Sequence, residues 1–169
     1  MDILNEFRYT IYMVKFLIVI VFGFVVPWMV GINLFRKDKK IIMLIAPFMS
    51  VLAFIVNVIG FELGFWRLHP VFETVSFTAL PVDIGLYPVM GCFMIFIIRK
   101  AYYHRFIIIL TTALITTICE YVGVVTGFVT YAHGWNIIYT FVSYYIPYNI
   151  SYLYYLQLQK LGILTYPLN

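Results

Sequence analysis

The chain has 169 residues, of which 64% are hydrophobic and 11% charged, and its mean hydropathy is +0.98. A soluble domain carries about 25% charged residues, so a water-exposed globular domain is excluded. The formal charge of +4 reads as a topology signal with anionic-lipid contact rather than as nucleic-acid binding.

In chain order, residues 1–10 are net acidic and lack the basic start of a signal peptide. No small-residue cleavage site follows, so the first span is expected to stay in the protein. Five apolar segments come next, over roughly 9–35, 41–65, 82–98, 106–128 and 139–159. A helix needs about 20 residues to span a bilayer, and tilt absorbs a slightly longer stretch. The last segment is short of aliphatic residues; five spans is the preferred count over four plus a re-entrant piece. Cys92 and Cys119 both fall inside spans without metal-like spacing and read as small buried side chains. No linker or charge block divides the chain. The expectation is one all-α domain, residues 1–169, built as a polytopic transmembrane helix bundle.

Basic residues in short loops set orientation. Arg36, Lys37, Lys39 and Lys40 follow the first span, Arg99, Lys100 and Arg105 the third, and Lys160 the fifth. That bias predicts an N-terminus outside and a C-terminus in the cytoplasm.

Two stretches share one pattern. The first has Asn57, Gly60, Gly64-Phe65 and His69, then Leu80-Pro81-Val82-Asp83-Ile84. The second has Glu120, Gly123, Gly127-Phe128 and His133, then Ile146-Pro147-Tyr148-Asn149-Ile150. An acid in one copy stands opposite an amide in the other. Each copy has two spans, which predicts a parallel repeat of helical hairpins, spans 2–3 and 4–5, about an axis along the membrane normal. On span 2, Ala46, Ser50, Ala53, Asn57, Gly60 and Gly64 share a helical stripe. On span 4, Thr112, Thr116, Glu120, Gly123 and Gly127 do the same. Such stripes let membrane helices approach closely, so Gly60, Gly64, Gly123 and Gly127 are expected to pack spans 2 and 4 together.

Polar residues inside apolar spans are costly and mark candidate sites. At 1.5 Å per residue, Asn57, Asp83 and Glu120 lie about 22–25 Å from the nearest inner basic residue, with Asn149 deeper. The expectation is one polar layer of Asn57, Asp83, Glu120 and Asn149. A carboxyl in low dielectric can hold a proton at neutral pH, so Glu120 and Asp83 are candidates for proton or cation binding. Interhelical hydrogen bonding is the alternative role. Tyr144, Tyr148, Tyr152, Tyr155 and Gln159 form a stripe on span 5, and Tyr148 and Tyr152 should line the same pocket, since a phenol below the interface needs a partner. His69 and His133 are weak metal candidates; no close-spaced ligand pair accompanies them, and no metal or other cofactor is favoured. No nucleophile triad or phosphate-cradling loop is present.

With Pro81-Val82-Asp83-Ile84-Gly85-Leu86-Tyr87-Pro88-Val89 and the Glu120, Trp135, Tyr139-Thr140-Phe141, Tyr144 region, the chain resembles a family of small polytopic inner-membrane proteins of spore-forming bacteria. No activity is assigned to that family. The resemblance implies a bacterial inner (cytoplasmic) membrane protein and brings no catalytic residues. More distantly, the chain is similar to the lycopene cyclase domain, whose Pro-x-Glu-Glu/Asp motif would correspond to Pro81-Val82-Asp83-Ile84 and Pro147-Tyr148-Asn149-Ile150. Both lack the second acid.

The expected function is a binding or transport-like module with an outward-opening polar pocket for a lipid headgroup, a small solute or a proton. A structural or partner-binding membrane subunit, with another membrane protein as its partner, is the alternative. An intramembrane enzyme of the isoprenoid-cyclase type comes third. Beyond the lipid bilayer, no partner is named by the residues.

Overall fold

The structure is a computed structural model that describes residues 3–100 and 104–164. It is helical almost throughout. A first rod runs from α1 (Ile3–Ile20) through a π-helical turn (Val21–Val25) into α2 (Val26–Lys37). Then come α3 (Lys39–Glu62), β1 (Trp66–Leu68), α4 (Ser76–Ile84), α5 (Leu86–Lys100), α6 (Arg105–Val125), β2 (Val129–Tyr131) and α7 (Ile137–Lys160). Four stretches are long and apolar enough to cross a membrane: Glu6–Lys37, Lys39–Glu62, Ser76–Lys100 and Arg105–Val125. Helix α7 is as long as α3, at 24 residues. Its tyrosines, amides and hydroxyls keep it out of that apolar set, which matches the weakness expected of segment 139–159.

Two prolines shape the bundle. Pro27 has no N–H to return to the carbonyl four residues back, and the helix widens just before it, with Val26 N–H bonding Val21 O. Pro88 likewise leaves the carbonyl of Ile84 without its helical donor, and the third rod breaks at Gly85 between α4 and α5. Trp28 fills that gap: its indole Nε1 donates to Ile84 O at 2.8 Å. The two irregularities meet, because a methyl at Gly85 would overlap the Gly23 carbonyl, and one at Gly23 would sit 2.7 Å from Val82 Cγ1. The glycines permit the crossing of the first and third rods.

At the basic end, Asp38 caps α3 by accepting from Ile41 N–H at 3.2 Å, while its other oxygen pairs with Arg99 at the end of α5. Above it lies an apolar core that includes Leu34, Ile41, Ile45, Met94, Ile95, Ile109, Ala113 and Leu158.

The glycine pattern has a different meaning from the one expected. α3 packs on α4 and α5, and α6 packs on α7, while α3 and α6 share no extended contact. Spans 2 and 4 are therefore not packed through Gly60, Gly64, Gly123 and Gly127. Each glycine pair builds a helix stop. Gly64 (φ +69°) and Gly127 (φ +74°) take the left-handed conformation, and Phe65 N–H and Phe128 N–H bond back to Gly60 O and Gly123 O at 2.9 and 2.8 Å. The chain then doubles back over the helix end. A methyl at Gly60 would overlap the Trp66 ring, and one at Gly123 would lie 3.1 Å from Val129.

The returning segments pair with each other. β1 and β2 form a two-stranded antiparallel ribbon with Trp66 opposite Tyr131 and Leu68 opposite Val129. Two further bonds continue it symmetrically, from His69 N–H to Phe128 O and from Ala132 N–H to Phe65 O, at 2.8 and 2.9 Å.

Replacing Gly85 with Ala forces the first and third rods apart. We expect a loss of about 1–3 kcal/mol, the usual range for overpacking, read as a lower melting temperature in detergent. Trp28→Phe, which leaves Ile84 O without its donor, should cost a similar amount. Full stability in both variants would refute this account of the crossing.

Candidate functional site

Asn57 and Asp83 meet directly. Asn57 lies near the C-terminal end of α3 and Asp83 two residues before the Gly85 break, where the third rod is irregular. The Asn57 amide donates from Nδ2 to Asp83 Oδ1 at 2.6 Å and accepts at Oδ1 from the Trp66 indole at 3.1 Å. Asp83 is only 1% exposed, and its Oδ2 is buried with no hydrogen-bond partner among the described residues.

Glu120 forms a second centre rather than joining that pair. Its Oε1 accepts from the Tyr131 hydroxyl at 2.7 Å, and its Oε2 accepts a short bond from the Tyr144 hydroxyl. Tyr131 is bonded at 2.9 Å to Thr140 Oγ1, which receives the Trp135 indole N–H at 2.8 Å. On the other side the Tyr144 hydroxyl lies 2.8 Å from that of Tyr87 on α5. Both carboxylate oxygens are thus satisfied by phenols from β2 and α7.

Between Asn57 and the Tyr87–Tyr144 pair lies a small cavity lined by Met49, Ala53, Val56 and Asn57 of α3, Tyr87 of α5, and Ser143, Tyr144, Pro147 and Tyr148 of α7; the carboxyl groups themselves do not line it. Its free volume is ≈ 30 Å³. That is room for one or two waters and far below the roughly 300–1,000 Å³ of an ordinary ligand pocket. Pro147 withholds a donor from the carbonyl of Ser143 four residues back, and both residues line the cavity. The lining residues sit along the lengths of α3 and α7, and Trp66 covers Asn57 from the ribbon side. Phe65 stacks on Trp135 with ring centres 4.8 Å apart, and Trp66 approaches Trp135 at the same separation.

Other expected members lie elsewhere. Asn149 bonds to none of the other three: one position on from the buried Tyr148, on the flank of that face, its amide donates to Tyr145 O of its own helix at 2.8 Å. Tyr148 is buried, lines the cavity, and its hydroxyl lies 2.7 Å from Thr116 Oγ1. Tyr152 packs lower, against Tyr155, with the Arg105 guanidinium 5.7 Å from its ring centre. His69 Nε2 is 3.2 Å from Thr130 Oγ1, and His133 Nδ1 is 2.9 Å from Gly64 O. Burial, with Lys15 and Arg67 nearby, holds the His69 imidazole below its ordinary range. Among the described residues no three His, Cys, Asp or Glu side chains cluster as a metal site would require.

Several participants were not identified from the sequence. Trp66 and Tyr131 reach Asn57 and Glu120 only because the chain reverses at Gly64 and Gly127. Tyr87 sits in the recognised Pro81–Val89 stretch but carried no separate signal. No family model, curated protein or solved structure matches the chain.

Trp66→Phe removes the donor to Asn57 and should cost about 1–3 kcal/mol, the penalty of an unsatisfied buried acceptor. Gly60→Ala displaces the same ring, so the double variant should lose less than the sum of the single losses. Thermal melts of the three variants measure this; strict additivity would show that Gly60 and Trp66 act separately.

Proposed function

We propose that this protein is a membrane-embedded binding module of transport-like character whose ligand is a proton or a water-sized polar species. The observation that carries this reading is the free Oδ2 of Asp83. A buried carboxylate with an unpaired oxygen is costly in low dielectric unless it takes up a proton or a small cation. The cavity beside its partner Asn57 admits a ligand of that size and no lipid headgroup. A polar pair beside a break in a membrane helix is also an arrangement in which transporters hold small ions.

In this reading α7 is the fifth span, held in the bundle by its buried tyrosines. The two helix–turn–strand units form a parallel repeat about an axis between β1 and β2, since antiparallel pairing is what such an axis requires. The basic loops orient the N-terminus outward in a bacterial inner membrane, in keeping with the family resemblance. Glu120, with both oxygens satisfied, supports a second reading for its half alone, as interhelical glue within a structural subunit. Cyclase chemistry is not proposed, because Ile84 and Ile150 stand where the second acid would be.

The test is proton uptake by the purified protein in nanodiscs after a pH step, followed with an indicator dye. Asp83→Asn should abolish a component of the uptake while leaving membrane yield and melting unchanged. Unchanged uptake would refute a ligand at Asp83; parallel loss of uptake and folding would favour the structural reading. Single cysteines placed at His69 and His133, in a chain lacking Cys92 and Cys119, should both react with an impermeant reagent from outside. Labelling of both only from the cytoplasmic side would invert the orientation.

A further inference from the structure

We infer that Glu120 and Asp83 exchange a proton through a reversible pair of hydroxyls, Tyr144 and Tyr87, with water in the cavity completing the path. The inference rests on the reading of Asp83 as a proton-binding group.

The two branches that reach Glu120 differ in what their ends can do. The branch through Tyr131 and Thr140 ends on the Trp135 indole, whose N–H can only donate. Every proton on it runs toward the carboxylate, and the indole fixes that direction. The branch through Tyr144 ends on Tyr87, and a phenol both donates and accepts. Its far end borders the cavity shared with Asn57, whose amide holds Asp83. One branch is therefore locked and the other can reverse.

Reversal balances without any redox partner. A proton arriving on Glu120 Oε2 is donated to the Tyr144 oxygen, and Tyr144 passes its own proton to the Tyr87 oxygen. Tyr87 releases its proton to a cavity water, and that water gives one to Asp83 Oδ2. One proton enters at Glu120, one arrives at Asp83, and each phenol is restored with its bonds turned around. Before the transfer Tyr87 donates into the cavity; afterwards it donates to Tyr144, and Tyr144 donates to Glu120 as the structure shows. Asp83 Oδ2, without a partner among the described residues, is the acceptor this path needs.

The titratable groups facing these centres are few. Glu120 on α6 faces Tyr131 from β2 and Tyr144 from α7, with Tyr87 of α5 behind them; Asp83 on α4 faces the neutral Asn57 of α3, with Tyr87 next along the path. Lys15 and Arg67 lie near His69, toward the ribbon end.

The experiment is infrared difference spectroscopy of the full chain in nanodiscs during a pH titration. The carboxyl bands are assigned with Glu120→Gln and Asp83→Asn. In the parent protein Asp83→Asn should shift the pH midpoint of the Glu120 band, and tyrosine bands should accompany the titration. Tyr87→Phe should shrink that midpoint shift by about threefold or more, as a coupling that passes through the phenol requires. Tyr144→Phe should do the same, and both should abolish the tyrosine bands. Tyr131→Phe, on the locked branch, should leave the coupling intact; melting curves confirm that each variant is folded. Coupling that survives both Tyr87→Phe and Tyr144→Phe, or that falls equally in Tyr131→Phe, overturns the relay while the carboxyl titrations still stand. If neither carboxyl titrates between about pH 4 and 9, where perturbed carboxyls are commonly found, the reading of the site falls with it.

Discussion

One side chain, the Asn57 amide, ties the ribbon end of the molecule together. It donates to Asp83 on the third rod and accepts from Trp66 on the ribbon, so three elements converge on four atoms. An amide suits this position because it offers a donor and an acceptor in one plane. Trp66 reaches it only because Gly64 turns the chain left-handed and Gly60 leaves room for the indole. Inside a bilayer none of these groups can fall back on water, so the helix stop and the site stand or fall together.

The second half solves the same problem with different chemistry. Glu120 stands where Asn57 does, and the residue returning over the helix end is Tyr131, eleven positions on rather than nine. A carboxylate has no proton to give, so its surroundings must all donate, and phenols from two elements do so. The ribbon side chain donates in both halves, while the second bond is reversed: Asn57 donates to Asp83, and Glu120 accepts from Tyr144. The two centres share a scaffold and differ in polarity.

Much of this was legible in the sequence. Hydropathy located the helices to within a few residues, except that the first begins at Ile3 rather than near residue 9 and the third at Ser76 rather than near residue 82, since Pro81 did not end it. The cost of polar groups in lipid singled out Asn57, Asp83 and Glu120. The glycine spacing was visible but ambiguous: Gly-x-x-x-Gly serves close helix packing and also the glycine-capped helix stop, and only the tertiary contacts separate the two. Three-residue strands leave no periodic trace, so the ribbon had no signal. The partners of Asn57 and Glu120 lie across a chain reversal, where helical phase says nothing. Asn149 was misplaced because a spacing argument cannot tell the buried face of α7 from its flank, and Tyr144 and Tyr148 occupy the face itself.

The indole of Trp28 on the broken third rod has a consequence for how the chain enters its membrane. The Ile84 carbonyl, stripped of its helical donor by Pro88, would be bare in hydrocarbon if the third rod inserted alone. Its donor lies in the first rod, which emerges from the ribosome earlier. Synthesis order therefore matches the order of need: the first rod is the template on which the kinked third rod is laid, and with it the acid two residues from the kink. A chain deprived of its first rod would lose more than an anchor, because the break beside Asp83 would have no neighbour to complete it.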